Sequence, residues 1–452
     1  MLFTLEFIYE IFPDYKGKQP FNANISEVMT DSRKKISNAL FIPIVGERFD
    51  AHDFINQAEE NGAIAVLWDK NHPIPEELIE SMTFFLVQDT TEALQTLAHA
   101  YVRKVQPTVI GITGSNGKTT TKDLLFAVLQ KKYVTHATKG NFNNDIGLPL
   151  TILDMNEGTE VLILEMGMSD FGEIDRLSRI AEPDYAIITN IGESHIEQLK
   201  SRSGIAKAKL EIVNGMQKDS LLVLDGDEPL LRSFQSDKPM ITCGFQESND
   251  VIVSDIKRLE NSTSFKWNGT EDYTVPLLGE HHALNASFVI TVAKKLGITQ
   301  ETIQTGLHSL KQTSMRFEKM IGKNDVTLIN DAYNASATSM KAAIHLLKQF
   351  NEYDKKIVVL GDILELGSLS TSFHEQVAHT IEPPIDVVYT YGNISEVIPP
   401  IVKEKHPNIE VKHFTDHVEL TASLLKKTNE STVILFKASR GMALEKVIEP
   451  LM

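Results

Sequence analysis

Residues 109–121 read Val109-Ile110-Gly111-Ile112-Thr113-Gly114-Ser115-Asn116-Gly117-Lys118-Thr119-Thr120-Thr121. An apolar run of β type passes into a polar, glycine-broken turn, then into a lysine and three threonines. That composition makes a phosphate cradle. Glycines let successive backbone N–H groups turn toward an anion, Lys118 brings a mobile positive charge, and Thr119 brings a hydroxyl for a nucleotide-bound Mg²⁺. Leu124, Leu125, Val128 and Leu129 then recur at helical spacing, so a helix starts beneath the loop. Strand, loop and helix in that order predict a mononucleotide-binding α/β unit. The spacing is one residue longer than the common form, which would need glycine at Ile112 and finds it at Gly111. A plain glycine turn with an incidental lysine is the competing reading, and it leaves the strand, the threonine and the helix unexplained.

Around this stretch lie 452 residues, which at roughly 150 per domain predict about three domains. A net charge of −17 argues against a nucleic-acid partner, because such proteins present a basic face to phosphates. Anionic ligands must be met by local basic residues. The single cysteine, Cys243, rules out an internal disulfide framework and fits a reducing compartment. No apolar run approaches the ~18 residues of a membrane span, so membrane insertion is not expected. The apolar start Met1 to Phe12 carries Glu6 and Glu10 without a basic lead, and reads as a folded element instead of a signal peptide. A cytoplasmic protein is expected.

Residues 1–106 alternate short apolar runs with helical patterns, with strands predicted at Leu40–Val45, Ala63–Trp68 and Thr83–Val87. Pro43 would confine the first of these to a sheet edge. The polar groups Thr30-Asp31-Ser32-Arg33 and Gly46-Glu47-Arg48-Phe49-Asp50-Ala51-His52 sit beside strand ends, where each reads first as a turn or cap. A helix over Thr91–Lys104 ends at Gln106-Pro107, the first predicted boundary.

Residues 107–313 form the second predicted unit. Asn141, Asn143, Asn144 and Asp145 could orient a polar ligand or cap the next helix. Glu165 closes the buried-strand pattern Glu160–Gly167, where a metal-holding acid is expected; a surface-edge glutamate is the alternative. The strand Tyr185–Ile191 leads to Asn190-Ile191-Gly192-Glu193-Ser194-His195, whose lone histidine is as readily a structural hydrogen-bonder as a ligand. Lys207 and Lys209, in a helix over Ile205–Ile212, would ordinarily face solvent. His281 and Asn285, four apart at a helix start, share one face and could hold a base or cap the helix. A helix over Glu301–Leu310 precedes the second boundary, at Gln312 to Ser314.

In residues 314–452, strands at Val326–Ile329, Ile357–Leu360, Val387–Tyr389 and Val433–Phe436 alternate with helices, as in a doubly wound parallel sheet. Their C-terminal loops, at Asn330-Asp331, Gly361-Asp362, Tyr391-Gly392-Asn393 and Lys437-Ala438-Ser439-Arg440-Gly441, should line one surface.

The ordered set T-G-S-N-G-K-T-T, E-M-G-M, N-I-G-E-S-H, G-x-H-x-x-x-N, M-R-F-E and D-A-Y-N-A closely resembles the Mur ligases over essentially the whole chain. Those enzymes form amide bonds in peptidoglycan precursors at the expense of ATP. T-D-S-R, F-I-P-I-V-G-E-R-F-D-A-H-D-F and L-G-D-I-L-E-L-G resemble the branch that adds D-alanyl-D-alanine to UDP-N-acetylmuramoyl-tripeptide. The resemblance implies a small N-terminal α/β UDP-binding domain, a central P-loop mononucleotide-binding α/β domain and a C-terminal Rossmann-like doubly wound domain. It implies ATP and Mg²⁺, the two small-molecule substrates, and a monomer.

By the same resemblance Thr113, Gly114, Ser115, Asn116, Gly117, Lys118, Thr119 and Thr120 hold ATP phosphates, and His281 and Asn285 contact the nucleotide. Arg316 reaches phosphate and Asp331 the ribose. Thr119, Glu165, His195 and, if carbamylated, Lys209 serve Mg²⁺. Lys118, Glu165, His195, Lys209 and Arg316 form the implied catalytic set. Ser32 would face the UDP end, Asn141, Asn143 and Asn144 the muramoyl peptide, and Lys437, Ser439 and Arg440 the substrate near the third domain. Family members often carry proline at Ala337 and glycine at Ala438. A sister ligase adding a single amino acid should show an Asp-Asn-Pro-Arg-like motif, which is missing here, and a folate ligase should lack the N-terminal unit. A non-catalytic nucleotide switch would not need Glu165, His195, Arg316 and Asp331 together.

Overall fold

The computed structural model describes residues 2–17, 20–46, 48–311 and 314–452. Met1, Glu47, Gln312 and the boundary at residue 313, all singled out in the sequence, lie outside that description. Three α/β sheets follow one another along the described chain, with a two-stranded ribbon of Phe3–Thr4 and Asn24–Ile25 at the start.

The first sheet has five strands in the spatial order Tyr15–Lys16, Thr83–Val87, Ala63–Asp69, Ala39–Phe41, Glu27–Met29. The expectation of an edge strand at Leu40–Val45 is corrected: Ala39–Phe41 pairs on both sides, with Glu27–Met29 and Ala63–Asp69. The strand stops at Phe41, so Pro43 never has to donate to the ladder. Helix Thr90–Val105 is capped by Asp89, whose side chain accepts from the Glu92 N–H, and it closes at Gln106 in a left-handed conformation, φ 55°. It packs on strand Ala63–Asp69 of the first sheet and on helices Gly147–Leu153 and Glu173–Ala181 of the next unit. Tyr101 Oη donates to Met155 O at 3.0 Å and Gln95 Nε2 to Asp145 O at 3.0 Å, joining it to the next unit.

The second sheet has nine strands, in which Thr108–Thr113 lies third from one edge, flanked by Val161–Glu165 and Tyr185–Ile188, both parallel. The chain leaves that strand and returns on either side of it, a topological switch point, so a crevice opens at its C-terminal end. Val251–Arg258, Thr263–Trp267 and Glu271–Val275 extend the sheet as an antiparallel meander. The interior is apolar on both faces: Ile110, Ile112, Ile163 and Ile187 are fully buried on one, and Leu162, Leu164, Ala186 and Ile188 on the other, as parallel strands covered by helices require.

The third sheet has six strands, ordered Glu318–Ile321, Thr327–Asn330, Thr432–Lys437, Lys355–Gly361, Val387–Tyr391, Glu410–Phe414. Five are parallel, and Glu318–Ile321 adds an antiparallel edge that period-2 patterning did not single out. Helix Ala337–Lys348 begins in a capping box of Ser336 and Ser339. Among the described residues no helix is long and apolar enough to cross a membrane.

Candidate active site

Helix Lys118–Leu129 starts at the end of strand Thr108–Thr113, with Gly117 as its N-cap at φ 81°. Gly114 has φ 148°, and a Cβ there would overlap the Thr189 hydroxyl. Only glycine lets the loop lie so close to the neighbouring strand's loop. The first-turn amides of the helix have no intrahelical acceptor and point toward the crevice with the positive end of the helix dipole. Lys118 Nζ folds back along the loop and donates to Gly114 O at 2.8 Å. Burial pulls its amine below the ordinary lysine range, opposed by the charge of Glu165.

Glu165 ends the adjacent strand in register with Ile112 and is only 4% exposed, which rules out a surface-edge role. One carboxylate oxygen accepts from Thr119 Oγ1 at 2.9 Å and the other from Asn143 Nδ2 at 2.9 Å. The Glu165 N–H donates to Thr138 Oγ1 at 3.0 Å, fixing the strand end. A hydroxyl and a carboxylate within 3 Å form an all-oxygen donor set of the kind Mg²⁺ prefers.

Lys209 corrects the expectation of a solvated helix. It lies in the last turn of helix Arg202–Leu210, is 3% exposed and faces the crevice, while Lys207 remains at the surface. Burial, reinforced by the nearby Lys118 charge, drives the Lys209 amine well below the ordinary lysine range. His195 is held at φ 63°, with Nδ1 2.6 Å from Glu365 Oε2 in the third unit. That contact, first through its hydrogen bond, holds Glu365 below the usual carboxylate range.

Arg316 reaches across from the third unit. Its Nη2 donates to Thr119 Oγ1 at 3.3 Å and its guanidinium carbon lies 4.0 Å from the Tyr333 ring centre. Asp331 pairs with Lys437 at 2.6 Å and accepts from the Phe317 N–H at 3.2 Å. His281 and Asn285 open helix Glu280–Lys295, and Asn285 fills the space that a side chain at Gly117 would need. Together these groups wall a cleft of about 400 Å³ between the second and third sheets.

The cleft gathers Gly114, Ser115, Asn116, Gly117, Lys118, Thr119, Thr120, Asn143, Asn144, Glu165, His195, Lys209, His281, Asn285, Arg316, Asp331 and Lys437. Five other candidates stand apart from it. Thr113 is fully buried with its hydroxyl on Met166 O at 3.0 Å. Asn141 is exposed. Ser439 Oγ accepts from the Leu364 N–H at 2.9 Å, and Arg440 pairs with Glu445 at 3.0 Å. Ser32 sits in the first sheet's loops, donating to Gln57 Oε1 at 2.7 Å. Asn144 also caps the next helix, its Oδ1 accepting from Gly147 N–H at 2.8 Å. Lys437, expected at the substrate, lies in the cleft wall with Nζ 2.6 Å from Asp331 Oδ2.

Residues the sequence reading passed over include Asn190, Tyr333, Asn334, Thr338 and His282, all in the cleft wall. Tyr333 and Asn334 were visible in D-A-Y-N-A, where only the aspartate was singled out. Among the described residues, Asp50, His52 and His72 have metal-ligand spacing. Their imidazoles stack at 4.0 Å and 5°, so the in-plane lone pairs run parallel and cannot meet on one ion. Asp50 bridges them at 2.6 and 3.0 Å.

A phosphate loop at the switch point of a parallel sheet, closed over by basic and acidic groups from a second such sheet, defines a nucleotide-dependent α/β protein with its site between units. Comparison with known proteins makes this particular. Family profiles match at residues 24–102 (Mur ligase family, catalytic domain), 112–293 (Mur ligase middle domain) and 315–440 (Mur ligase, glutamate ligase domain). The UDP-N-acetylmuramoyl-tripeptide--D-alanyl-D-alanine ligase of Bacillus subtilis is 48% identical over 94% of this chain and 93% of its own. Crystal structure I of MurF from Acinetobacter baumannii aligns with a TM-score of 0.87 at 30% identity, covering 99% of this chain and 98% of that one. The MurF ligase of Thermotoga maritima, solved in complex with ADP, aligns at 0.82 and 31%, covering 94% and 96%. The chain belongs to the Mur ligase family.

Proposed function

We propose that this chain is the ATP-dependent ligase that joins D-alanyl-D-alanine to UDP-N-acetylmuramoyl-tripeptide, giving the pentapeptide, ADP and phosphate. The observation that carries the reading is the single cleft in which the phosphate loop and the Thr119–Glu165 pair of one sheet meet Arg316 and Asp331 of another. The near-complete coverage of relatives bearing that ligase name supports it.

Carboxylate and amine do not condense in water. A carboxylate oxygen of the tripeptide attacks the γ-phosphorus and ADP departs. The dipeptide amine then attacks the acyl carbon, a proton is lost, and the tetrahedral intermediate expels phosphate. Negative charge gathers on the transferring phosphoryl group, so the protein acts by positioning and electrostatics. The loop amides and Lys118 bind the β- and γ-phosphates, and Arg316 meets the same charge from the other side. Thr119 and Glu165 would hold one Mg²⁺, which would supply neutralisation of the phosphate charge.

His195 and Lys209 would serve a second ion. Lys209 is suited to this because burial, reinforced by the Lys118 charge, disfavours its cationic form: Nζ would attack CO₂ and release a proton to water, and the anionic carbamate would replace a cation that the site repels. His281 and Asn285 contact the nucleotide and Asp331 the ribose. Asn143 faces the reacting carboxylate and Ser32 the UDP end. We place the unit boundaries at 106/107 and 313/314, the first supported by the left-handed Gln106 two residues before strand Thr108–Thr113. The need for ATP supports a cytoplasmic setting, and we read the chain as a monomer. The test is phosphate release, which requires ATP, Mg²⁺, UDP-muramoyl-tripeptide and D-alanyl-D-alanine together. Robust turnover with a single amino acid in place of the dipeptide would overturn the assignment.

A further inference from the structure

The segment 189–197 is bonded to both halves of the cleft. On the phosphate-loop side, Asn190 O accepts from Ser115 N–H at 3.1 Å and Asn190 Oδ1 from Asn116 N–H at 2.9 Å. Thr189 Oγ1 donates to Asn116 O at 2.6 Å, and the Gly192 N–H donates to Ser115 Oγ at 2.8 Å. On the other side Glu193 crosses to helix Ala337–Lys348, where it accepts from Thr338 Oγ1 at 2.7 Å and from the Thr338 N–H at 3.3 Å. Asn116 Nδ2 makes a parallel link to Ser336 Oγ, the cap of that helix, at 3.3 Å. Glu193 is 8% exposed and does not itself line the cleft.

A carboxylate buried to that degree needs partners, and here they are a hydroxyl and a first-turn amide at the positive end of a helix. Both belong to the third unit. With that unit withdrawn, Glu193 would lose both, and the segment that braces Ser115 and Asn116 would lose its anchor. We propose that Glu193 is a positioning residue: its contact with Thr338 makes the working geometry of the phosphate loop conditional on docking of the third unit, so that phosphoryl transfer proceeds only in the closed enzyme.

The inference rests on the proposed ligase reaction and is tested in the full chain with Glu193→Gln, Thr338→Val, Thr338→Ser and the double variant Glu193→Gln/Thr338→Val. Loss of a charge-assisted hydrogen bond predicts a fall in kcat of roughly tenfold or more for Glu193→Gln and Thr338→Val. ADP affinity should stay within about twofold, and Thr338→Ser should restore turnover. Because the two side chains act as one pair, the double variant should lose no more than the worse single variant. Fully additive losses would mean that Thr338 acts on substrate independently, and kcat unchanged in both single variants, or ADP affinity falling in step with kcat, would equally overturn the latch. Small-angle scattering gives a readout that does not depend on the ligase assignment: nucleotide-bound parent should be more compact than Thr338→Val. Equal profiles would contradict the latch, whereas a parent that compacts without dipeptide-dependent phosphate release would contradict the reaction instead.

Discussion

Lys118 sits where negative charge gathers, within reach of the loop carbonyl it now contacts. Its replacement by alanine should lower turnover by at least about 10², the scale of losing one preorganised donor to a transition state. Steady-state kinetics on a variant with native circular dichroism checks this. Gly114→Ala should be as damaging for a different reason, since the added methyl has no room beside Thr189. It should abolish ADP binding by calorimetry while the rest of the fold persists. For Lys209 the expected observation is the mass of an added carboxyl group on the intact protein, together with rescue of Lys209→Ala by small carboxylates. The residue's chemistry could be proposed from its motif, but its burial could not be read from the local sequence. Lys207 and Lys209 lie two apart on one short helix, and only tertiary packing turns one into the crevice and leaves the other outside.

Elements were legible where periodicity and caps agreed. Thr83–Val87 was placed to the residue, and helix Thr90–Val105 to within one residue at each end, with Gln106-Pro107 marking where it stops. Pairing partners were not legible. Ala39–Phe41 is interior because a strand before it in the chain, Glu27–Met29, and one after it, Ala63–Asp69, both pair with it, a fact that no local pattern carries. Helix Ala337–Lys348 explains one departure from the family pattern. Ala337 is its first residue and Ser336 is extended, φ −133° and ψ 162°, so proline fits at that site without losing a helix hydrogen bond. Ala337→Pro should therefore leave stability unchanged or raise it by up to about 1 kcal/mol, as thermal unfolding would register. The Glu365–His195 bridge gives a pH signature. Because His195 depresses the Glu365 pKa, its contribution is present above the usual glutamate range and is lost as the pH falls through the depressed folded value. The denaturation midpoints of parent and Glu365→Gln should differ slightly near neutral pH and converge in acid. The difference is small because Glu365 is 55% exposed.

At the scale of the whole molecule the cleft lies between two sheets whose side-chain contacts include Asn116 with Ser336, Glu193 with Thr338, His195 with Glu365, Arg316 with Thr119 and Arg258 with Glu352. We predict that the units open and close about the segments near Pro107 and Ser314. Scattering profiles of free and fully liganded protein should differ accordingly, with the liganded form the more compact. The phosphate loop alone identifies a nucleoside triphosphate. The reaction follows from which residues of the third sheet the triphosphate can reach, and here those are Arg316, Asp331 and Tyr333. The most direct test of that account is phosphate release measured with each component omitted in turn. Release should occur only when ATP, Mg²⁺, UDP-N-acetylmuramoyl-tripeptide and D-alanyl-D-alanine are all present; equal release with the dipeptide withheld, or with a single amino acid in its place, would contradict it.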